Sequence, residues 1–424
     1  MLNIPESNSK RVVIAGCGFA GLTFARKLKK SGFQVVLIDK HNYHQFPPLF
    51  YQVASAGLEA ASILFPIRKI FQKYKNFHIR KAEIKSVDRE KNLLHTSEGE
   101  LFYDYLVIAM GATNAFFGSK DMEENANGMK TIAEVLDLRN TLLMNFEKAV
   151  MTSDATERSK HLNIVIIGGG PSGVEIAGAL SEMNRYILAK DYPELRDTPA
   201  KIHLVEAAPR VLAVMSEKSS SKAQSFLERS GVHVLTGTKV TGCTADEVTL
   251  STGQKIPASL IIWTAGIRGN SIGGLDPETI TKTGRLMTDR YNRIQGCRNI
   301  FALGDIAFMT EEKYPKGHPQ VAQVAIQQAE LLASNLVLAE KRKKMKEFSY
   351  RDLGTMATVG RNLAVVELPW VHFHGIFAWY VWMFIHLMSI VGVRNRLIIF
   401  MNWAWKYLTY DQSTRLILRP KGHN

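Results

Sequence analysis

One pattern occurs twice in the first half of this chain, and it limits the folds available more than any other feature. A β-branched run, Arg11 to Ala15 (RVVIA), leads into Gly16-Cys17-Gly18-Phe19-Ala20-Gly21. A helical pattern follows to about Lys30, then a strand-like run from Gln34 to Ile38 that ends on Asp39. The order returns at Asn163 to Ile167 (NIVII), Gly168-Gly169-Gly170-Pro171-Ser172-Gly173, a helical stretch, and Lys201 to Val205 ending on Glu206. The interval from first glycine to acid grows from 23 to 38 residues, because a stretch around 185–199 lengthens the second crossover. Strands that alternate with helices call for a parallel sheet covered on both faces.

Each glycine in G-x-G-x-x-G has its own task. The first makes the turn out of the strand, the second leaves room for a pyrophosphate, and the third lets helix and strand pack closely. The helix N-terminus then presents free N–H groups and the positive end of its dipole to the phosphates. Each copy here follows a strand, opens a helix and precedes an acid at the next strand end, which is the context the motif requires. The expected fold class is therefore α/β, with two Rossmann-type dinucleotide-binding domains and a C-terminal membrane-anchoring helical region. Asp39 and Glu206 are expected to accept hydrogen bonds from a ribose, and a carboxylate at Glu206 repels the 2′-phosphate of NADP, which favours NAD. The plainer reading is an exposed acid at a strand end.

Two buried runs, Tyr103 to Gly111 (YDYLVIAMG) and Leu260 to Gly266 (LIIWTAG), resemble the connecting motifs of a flavoprotein superfamily. Asn299 to Asp305 (NIFALGD) resembles its second flavin signature, in which Asp305 meets the ribityl or phosphate end of FAD and Gly304 allows close approach. By itself the Gly304-Asp305 pair could equally cap the helix that follows. Disulfide reductases of this fold need a cysteine pair beside the flavin. The only cysteines, Cys17, Cys243 and Cys297, form no C-x-x-C and no zinc spacing, so neither a thiol relay nor a metal site is expected. That usage suits a reducing compartment, and the polar stretch from Met1 to Lys10 does not resemble a secretory signal.

At this point the sequence resembles the type II NADH:quinone oxidoreductases, single-chain respiratory dehydrogenases that do not pump protons, from Arg11 to about Pro420. The resemblance is carried by His41 to Ser55 (HNYHQFPPLFYQVAS), by GGGPSGVEIAGAL, and by Phe348 to Glu367, a strand pair before a membrane anchor. His318 to Ala329 adds an A-Q-x-A-x-Q-Q motif at Ala322 to Gln328. Ala179 departs from relatives that place a glutamate there. The resemblance implies that Gly16, Gly18, Phe19, Ala20, Gly21, Asp39, Lys40, Gly304, Asp305, Ala322 and Gln323 bind non-covalent FAD. It implies that Gly168, Gly170, Pro171, Ser172, Gly173, Glu175, Glu206, Ala265 and Gly266 bind NADH as substrate. Glu175 is the implied catalytic residue, orienting the nicotinamide or relaying protons. An acid stabilising the helix N-terminus, worth about 0.3–1 kcal/mol, explains the same residue equally well. Gln323 and Gln327 are four residues apart on one helix face, where their amides could donate to quinone carbonyls. Outside this motif, two such glutamines are ordinary surface.

Domain boundaries are expected at 1–120 with 267–340 for FAD, 121–266 for NADH, and 341–424 for the anchor. Thr131 to Val150 reads as one helix, and Met151 to His161 as a polar connection. From Lys341 onward thirteen Lys or Arg face four acids, and five of the six tryptophans lie there, so much of the net charge of +14 sits with large apolar side chains. That mixture fits an anionic bilayer surface better than nucleic acid. Gly375 to Val393 is a nineteen-residue apolar run close to spanning length, yet it holds His386 and Ser389 and is rich in interface-seeking aromatics. Next, Asn395, Asn402, Lys406, Thr409 and Ser413 form a polar stripe opposite Leu397, Phe400, Met401, Trp405 and Leu408, as in a helix lying in the interface. An embedded anchor is expected rather than a span, with an ordinary dimer interface as the other reading.

The expected activity is respiratory NADH:quinone oxidoreduction, with hydride passing from NADH to FAD and two electrons to a membrane quinone, without proton pumping. The expected partners are that quinone, the lipid surface and a second copy of the chain, with no nucleic acid. The expected place, for a prokaryotic source, is the cytoplasmic face of the inner membrane. Two other readings share most of these features: an NADH-dependent flavoprotein reductase of a protein acceptor, and a flavoprotein that senses NADH without turnover.

Overall fold

The computed structural model describes residues 1–409 and 414–418, so Ser413 of the polar stripe lies outside the described residues. The chain forms two compact units. The first comprises Met1–Gln45, Leu64–Thr113 and Ile267–Asp352; the second comprises Phe46–Ile63, Asn114–Gly266 and the described residues from Leu353 onward. The second unit therefore takes in Phe46–Ile63, which the sequence boundaries put with FAD, and also the C-terminal region, which they set apart. The helices that bear on the site are, in chain order, α1 (Phe19–Lys27), α2 (Phe50–Ala54), α3 (Ile132–Met151), α4 (Pro171–Met183), α5 (Ala322–Glu340), α6 (Ile376–Ser389) and α7 (Val393–Thr409).

The first unit is built on a five-stranded parallel sheet. Its order is Ile300–Ala302, Tyr105–Ile108, Arg11–Ala15, Gln34–Asp39, Phe77–Lys81, and Arg11 stands opposite Gln34 through to Ala15 opposite Ile38. Strands covered on both faces read as continuous apolar runs, and Val12, Val13, Ile14, Val35, Val36 and Leu37 are all fully buried. The second unit repeats the device with four parallel strands, in the order Val232–Leu235, Lys201–Val205, Asn163–Ile167, Leu260–Trp263. In each sheet the glycine-loop strand lies between two others, so its C-terminal end opens into a crevice where such sheets bind ligands.

The helix expected over 131–150 forms as α3. Thr131 closes a capping box, its hydroxyl accepting from the Glu134 amide while the Glu134 carboxylate accepts from the Thr131 amide. The polar connection after it is not irregular. Asp154 accepts from the amides of Thr156 and Glu157 and so starts a short helix, Ala155–Leu162, which polar composition had concealed.

The C-terminal strand pair is in fact three antiparallel strands, Thr355–Thr358, Ala364–Leu368 and Val371–His374. The apolar run after them yields only the 14 residues of α6 before Gly392, at positive φ, turns the chain into α7. At 1.5 Å per residue that is about 21 Å, against about 30 Å of hydrocarbon. No helix among the described residues is long and apolar enough to cross a membrane.

Candidate functional site

The two glycine loops have the same internal bonding. Gly16 N–H donates to Ile38 O at 2.8 Å, and Gly168 N–H to Val205 O at 2.8 Å, so each loop is tied to the strand that carries its acid. A Cβ on Gly16 would lie 2.4 Å from Ala109 O, and one on Gly168 would lie 2.7 Å from the Ala265 backbone. Cβ atoms on Gly21 and Gly173 would strike the carbonyls of Gly16 and Gly168 at 1.9 and 1.8 Å. Around Gly18 and Gly170, by contrast, a Cβ would meet nothing within 4 Å. The first and third glycines are therefore demanded by packing, while the second faces open space where a pyrophosphate can approach. Gly18 and Gly170 are also the N-caps of α1 and α4, and no side chain caps either helix. Each unit thus fits a dinucleotide at an uncapped helix N-terminus.

The acids are anchored alike. Asp39 Oδ2 accepts from the Cys17 amide at 2.6 Å and Oδ1 from the His41 amide at 2.7 Å. Glu206 Oε2 accepts from the Gly169 amide and Oε1 from the Ala208 amide at 2.6 Å. Both carboxylates hold their loops and stay partly exposed, leaving lone pairs for ribose hydroxyls. Of the remaining sequence candidates, Lys40 is exposed beyond Asp39, and Pro171 and Ser172 form the exposed first turn of α4. Gly266 packs against the Phe117 ring, where a Cβ would lie 2.4 Å from the ring.

In the first unit, α1, α5 and the Gly304 turn come together. Gly304 has φ of +73°, and a Cβ there would press on Ala325 at 3.1 Å and approach Ala20 at 3.5 Å. Its amide donates to Gln328 Oε1 at 2.8 Å. Gln328 is buried and was not singled out from the sequence, although it closes the same motif. Phe19 meets the His44 ring edge-on at 5.6 Å, and His44 Nδ1 lies 2.8 Å from Cys17 O, tying the segment after Asp39 to the first loop. Asp305 is partly buried, its carbonyl accepting from Gln320 Nε2 at 2.9 Å. Ala322 opens α5, whose N-cap Val321 supplies no side-chain bond.

The two glutamines of the motif divide. Gln327 donates to Arg351 O at 2.9 Å and accepts from the Arg351 amide at 3.1 Å, so its amide group is occupied at both ends by backbone. Gln323 Oε1 accepts from the Tyr350 hydroxyl at 3.3 Å. Shared helix face, the sequence argument for pairing them, brings both to the 350–351 segment without giving them one role.

In the second unit Glu175 is buried within α4. Burial pushes its carboxyl up to about 8, with the Thr358 backbone and the Trp382 side chain acting the other way. A carboxyl that is largely neutral at pH 7 contributes little to the α4 dipole. Around it, Tyr51 Oη lies 3.1 Å from Thr358 Oγ1, and Gln52 Nε2 donates to Tyr51 Oη at 2.9 Å. The Trp403 indole N–H donates to Gln52 Oε1 at 2.8 Å. Tyr51, Gln52 and Thr358 lie in segments that carry the family resemblance, but nothing in sequence links them to Glu175 or Trp403, because they come from separate stretches of chain.

Part of the polar stripe of α7 turns inward, beside Ile399 and Trp403, while Thr409 at its end is exposed. Asn395 is buried and donates to Ser62 O at 3.0 Å, and Lys406 pairs with Glu182 at 3.2 Å. Leu397, Phe400, Met401, Trp405 and Leu408 are left exposed, with Phe377, Phe384 and Met388 of α6. The three cysteines are free, and burial raises each thiol.

The profile of the pyridine nucleotide-disulphide oxidoreductase family matches residues 10–329, and that of the NDH2 C-terminal domain matches residues 353–410. A type II NADH:quinone oxidoreductase of Mycobacterium tuberculosis is 32% identical over 420 residues, covering 94% of this chain and 88% of that protein. A second one from the same organism is 33% identical over 415 residues, covering 94% and 87%. Among solved structures, NDH2 from Plasmodium falciparum in complex with NADH has the same fold, with a TM-score of 0.88 at 20% identity over 97% of this chain and 100% of that one. The sulfide:quinone oxidoreductase of Aquifex aeolicus also shares the fold, with a TM-score of 0.74 at 20% identity over 97% and 96%. With two uncapped glycine cradles, anchored acids and this set of relatives, the chain belongs to the pyridine nucleotide-disulphide oxidoreductases, in the type II NADH:quinone oxidoreductase family.

Proposed function

We propose that this chain oxidises NADH with a non-covalently bound FAD and reduces a membrane quinone, without pumping protons: NADH + H+ + quinone → NAD+ + quinol. The observation that carries the proposal is that a chain with two dinucleotide cradles also carries two C-terminal helices whose rows of large apolar side chains are exposed. When bound, FAD supplies the two-electron chemistry, taking hydride from NADH and returning the electrons to the quinone. The residues of the first unit would hold it: the Gly16–Gly21 loop its pyrophosphate, Asp39 its ribose, and the Gly304–Asp305 turn its ribityl end. In the second unit the Gly168–Gly173 loop and Glu206 would hold NADH. Gln323 would donate to a quinone carbonyl, while Gln327 positions the Arg351 backbone. Glu175, neutral at rest, is suited to giving up a proton and taking one back.

The exposed rows of α6 and α7 would lie in the membrane interface, letting a lipid-soluble acceptor reach the enzyme while NADH stays in water. In a prokaryotic cell the NADH pool places that surface on the cytoplasmic face. Part of the apolar face would also serve contact with a second copy. The test is spectroscopic. NADH added to the purified holoenzyme should bleach the flavin band, and a short-chain quinone should restore it. Recovery with a protein carrier but not with quinone would favour a reductase of a protein acceptor. Bleaching without turnover on either acceptor would favour a sensor of NADH.

A further inference from the structure

The proposed reaction draws one proton from solvent in every turnover, beyond the one NADH carries. Glu175 is the buried acid suited to hold that proton, and burial cuts it off from bulk water. A cavity of about 60 Å3 in the second unit is lined by Tyr51, Gln52, Ala179, Glu182, Trp382 and Lys406, among others. That is room for a few waters, at the roughly 10–15 Å3 that one needs, and the polar groups on its otherwise apolar walls give them partners. Neither Glu175 nor Thr358 lines this cavity, but Tyr51 does. The Tyr51 hydroxyl also lies 3.1 Å from Thr358 Oγ1, and the negative charge of Glu175 is one of the influences that keep it protonated. It is fixed in place by Gln52, which is itself fixed by Trp403.

We infer that this cavity is the proton well of the enzyme, and that the Tyr51 hydroxyl is the relay by which Glu175 is reloaded from it. The step balances without any change of oxidation state. A solvent proton carried on a cavity water as hydronium passes to Tyr51 Oη as Tyr51 gives its own proton towards the Glu175 carboxylate, with Thr358 beside both, and neutral water is left in the cavity. One O–H bond forms at Tyr51 as another breaks, so the phenol is neutral before and after. Burial holds its proton well above the usual phenol range, so free phenolate is not part of the route. The Glu182–Lys406 pair, at 3.2 Å, adds charged groups to the cavity wall.

The purpose of this route rests on the NADH:quinone reading; its geometry does not. Infrared spectroscopy of the oxidised holoenzyme, without NADH or quinone, should show the protonated carboxyl band that Glu175→Gln removes. On transfer to D2O the shift of that band reports exchange at Glu175. Tyr51→Phe should keep the band at its original frequency, which a displaced carboxyl would not do, and slow its exchange by about tenfold or more. Ala179→Met, which fills cavity space without touching the relay, should slow it as well. Unchanged exchange in both variants overturns the relay whatever the turnover. If exchange slows while the unmutated enzyme reduces no quinone, the relay stands and the functional reading fails.

Discussion

Asp39 and Glu206 each divide two oxygens between backbone amides, so they anchor their loops besides the ribose-accepting role proposed for them. Replacing Glu206 with Arg removes two charge-assisted hydrogen bonds from the loop as well as the negative charge that repels a 2′-phosphate. A hydrogen bond to a charged group is worth about 1.5–3 kcal/mol, so the KM for NADH should rise by roughly tenfold or more while preference shifts towards NADPH. Steady-state rates with both nucleotides check this, and an unchanged preference ratio sinks the assignment. Glu175 makes a prediction of opposite character. Its folded value, about 8, lies above the ordinary carboxyl value of 4.5, so the folded state keeps a proton that the unfolded state loses. Stability from this group is fully present below pH 4.5 and declines as pH rises to about 8. Tyr51, Thr358, Trp382 and, further off, the Glu182–Lys406 pair surround it, and none offers a cation directly paired with it. Glu175→Gln should therefore lie close to the parent at pH 5 and exceed it at pH 9, by a few kcal/mol. Denaturant unfolding at both pH values reads the difference, and parallel curves would remove the case for a protonated Glu175.

Strand, loop and helix obey the glycine spacing so closely that the two nucleotide elements were legible before any coordinates. The reason is steric: a motif whose first and third positions tolerate no Cβ leaves its mark in the residues themselves. Gly173→Val should accordingly abolish NADH-driven flavin reduction while FAD stays bound, since only the second unit's loop is deformed. Overpacking of this kind costs about 1–3 kcal/mol, within reach of a folded variant. Loss of the flavin from the same variant would show that the two elements are not independent. Side-chain roles set by distant chain were not legible. Gln327 and Gln328 stand next to each other in one motif, yet one bonds the Arg351 backbone and the other the Gly304 amide. Helical periodicity gives the face a residue occupies, not the backbone waiting on that face. The Ala155–Leu162 helix was hidden for a different reason, since its start depends on one Asp154 cap and not on apolar periodicity.

At the scale of the whole molecule, the two-sided pattern of α7 was legible in sequence, and its apolar row is exposed as a helix lying in the interface requires. The residues that hold its other side were not legible. Ordinary surface helices bury the apolar side. Here Asn395 and Lys406 are drawn inward by Ser62 and Glu182, and the apolar side is left outside, with Phe400 52% and Leu408 79% exposed. Exposed apolar patches of this extent mark contact surfaces. If the contact is a bilayer, two forces hold the protein there, and they respond differently to salt. Each large apolar side chain contributes about 1.5–3 kcal/mol when withdrawn from water. Each nearby Lys or Arg adds about 1 kcal/mol on anionic lipid, an amount screened within a Debye length. The double variant Leu397→Glu, Phe400→Glu should thus lower partitioning onto anionic vesicles by about a hundredfold or more and leave the weak residue salt-sensitive. The parent should stay bound when salt is raised to 1 M. NADH-driven bleaching of the flavin should survive in the variant, because neither side chain touches a nucleotide loop, while turnover with a long-chain quinone in vesicles should fall. A variant that still sediments with vesicles but becomes monomeric would instead assign this apolar face to a second copy of the chain.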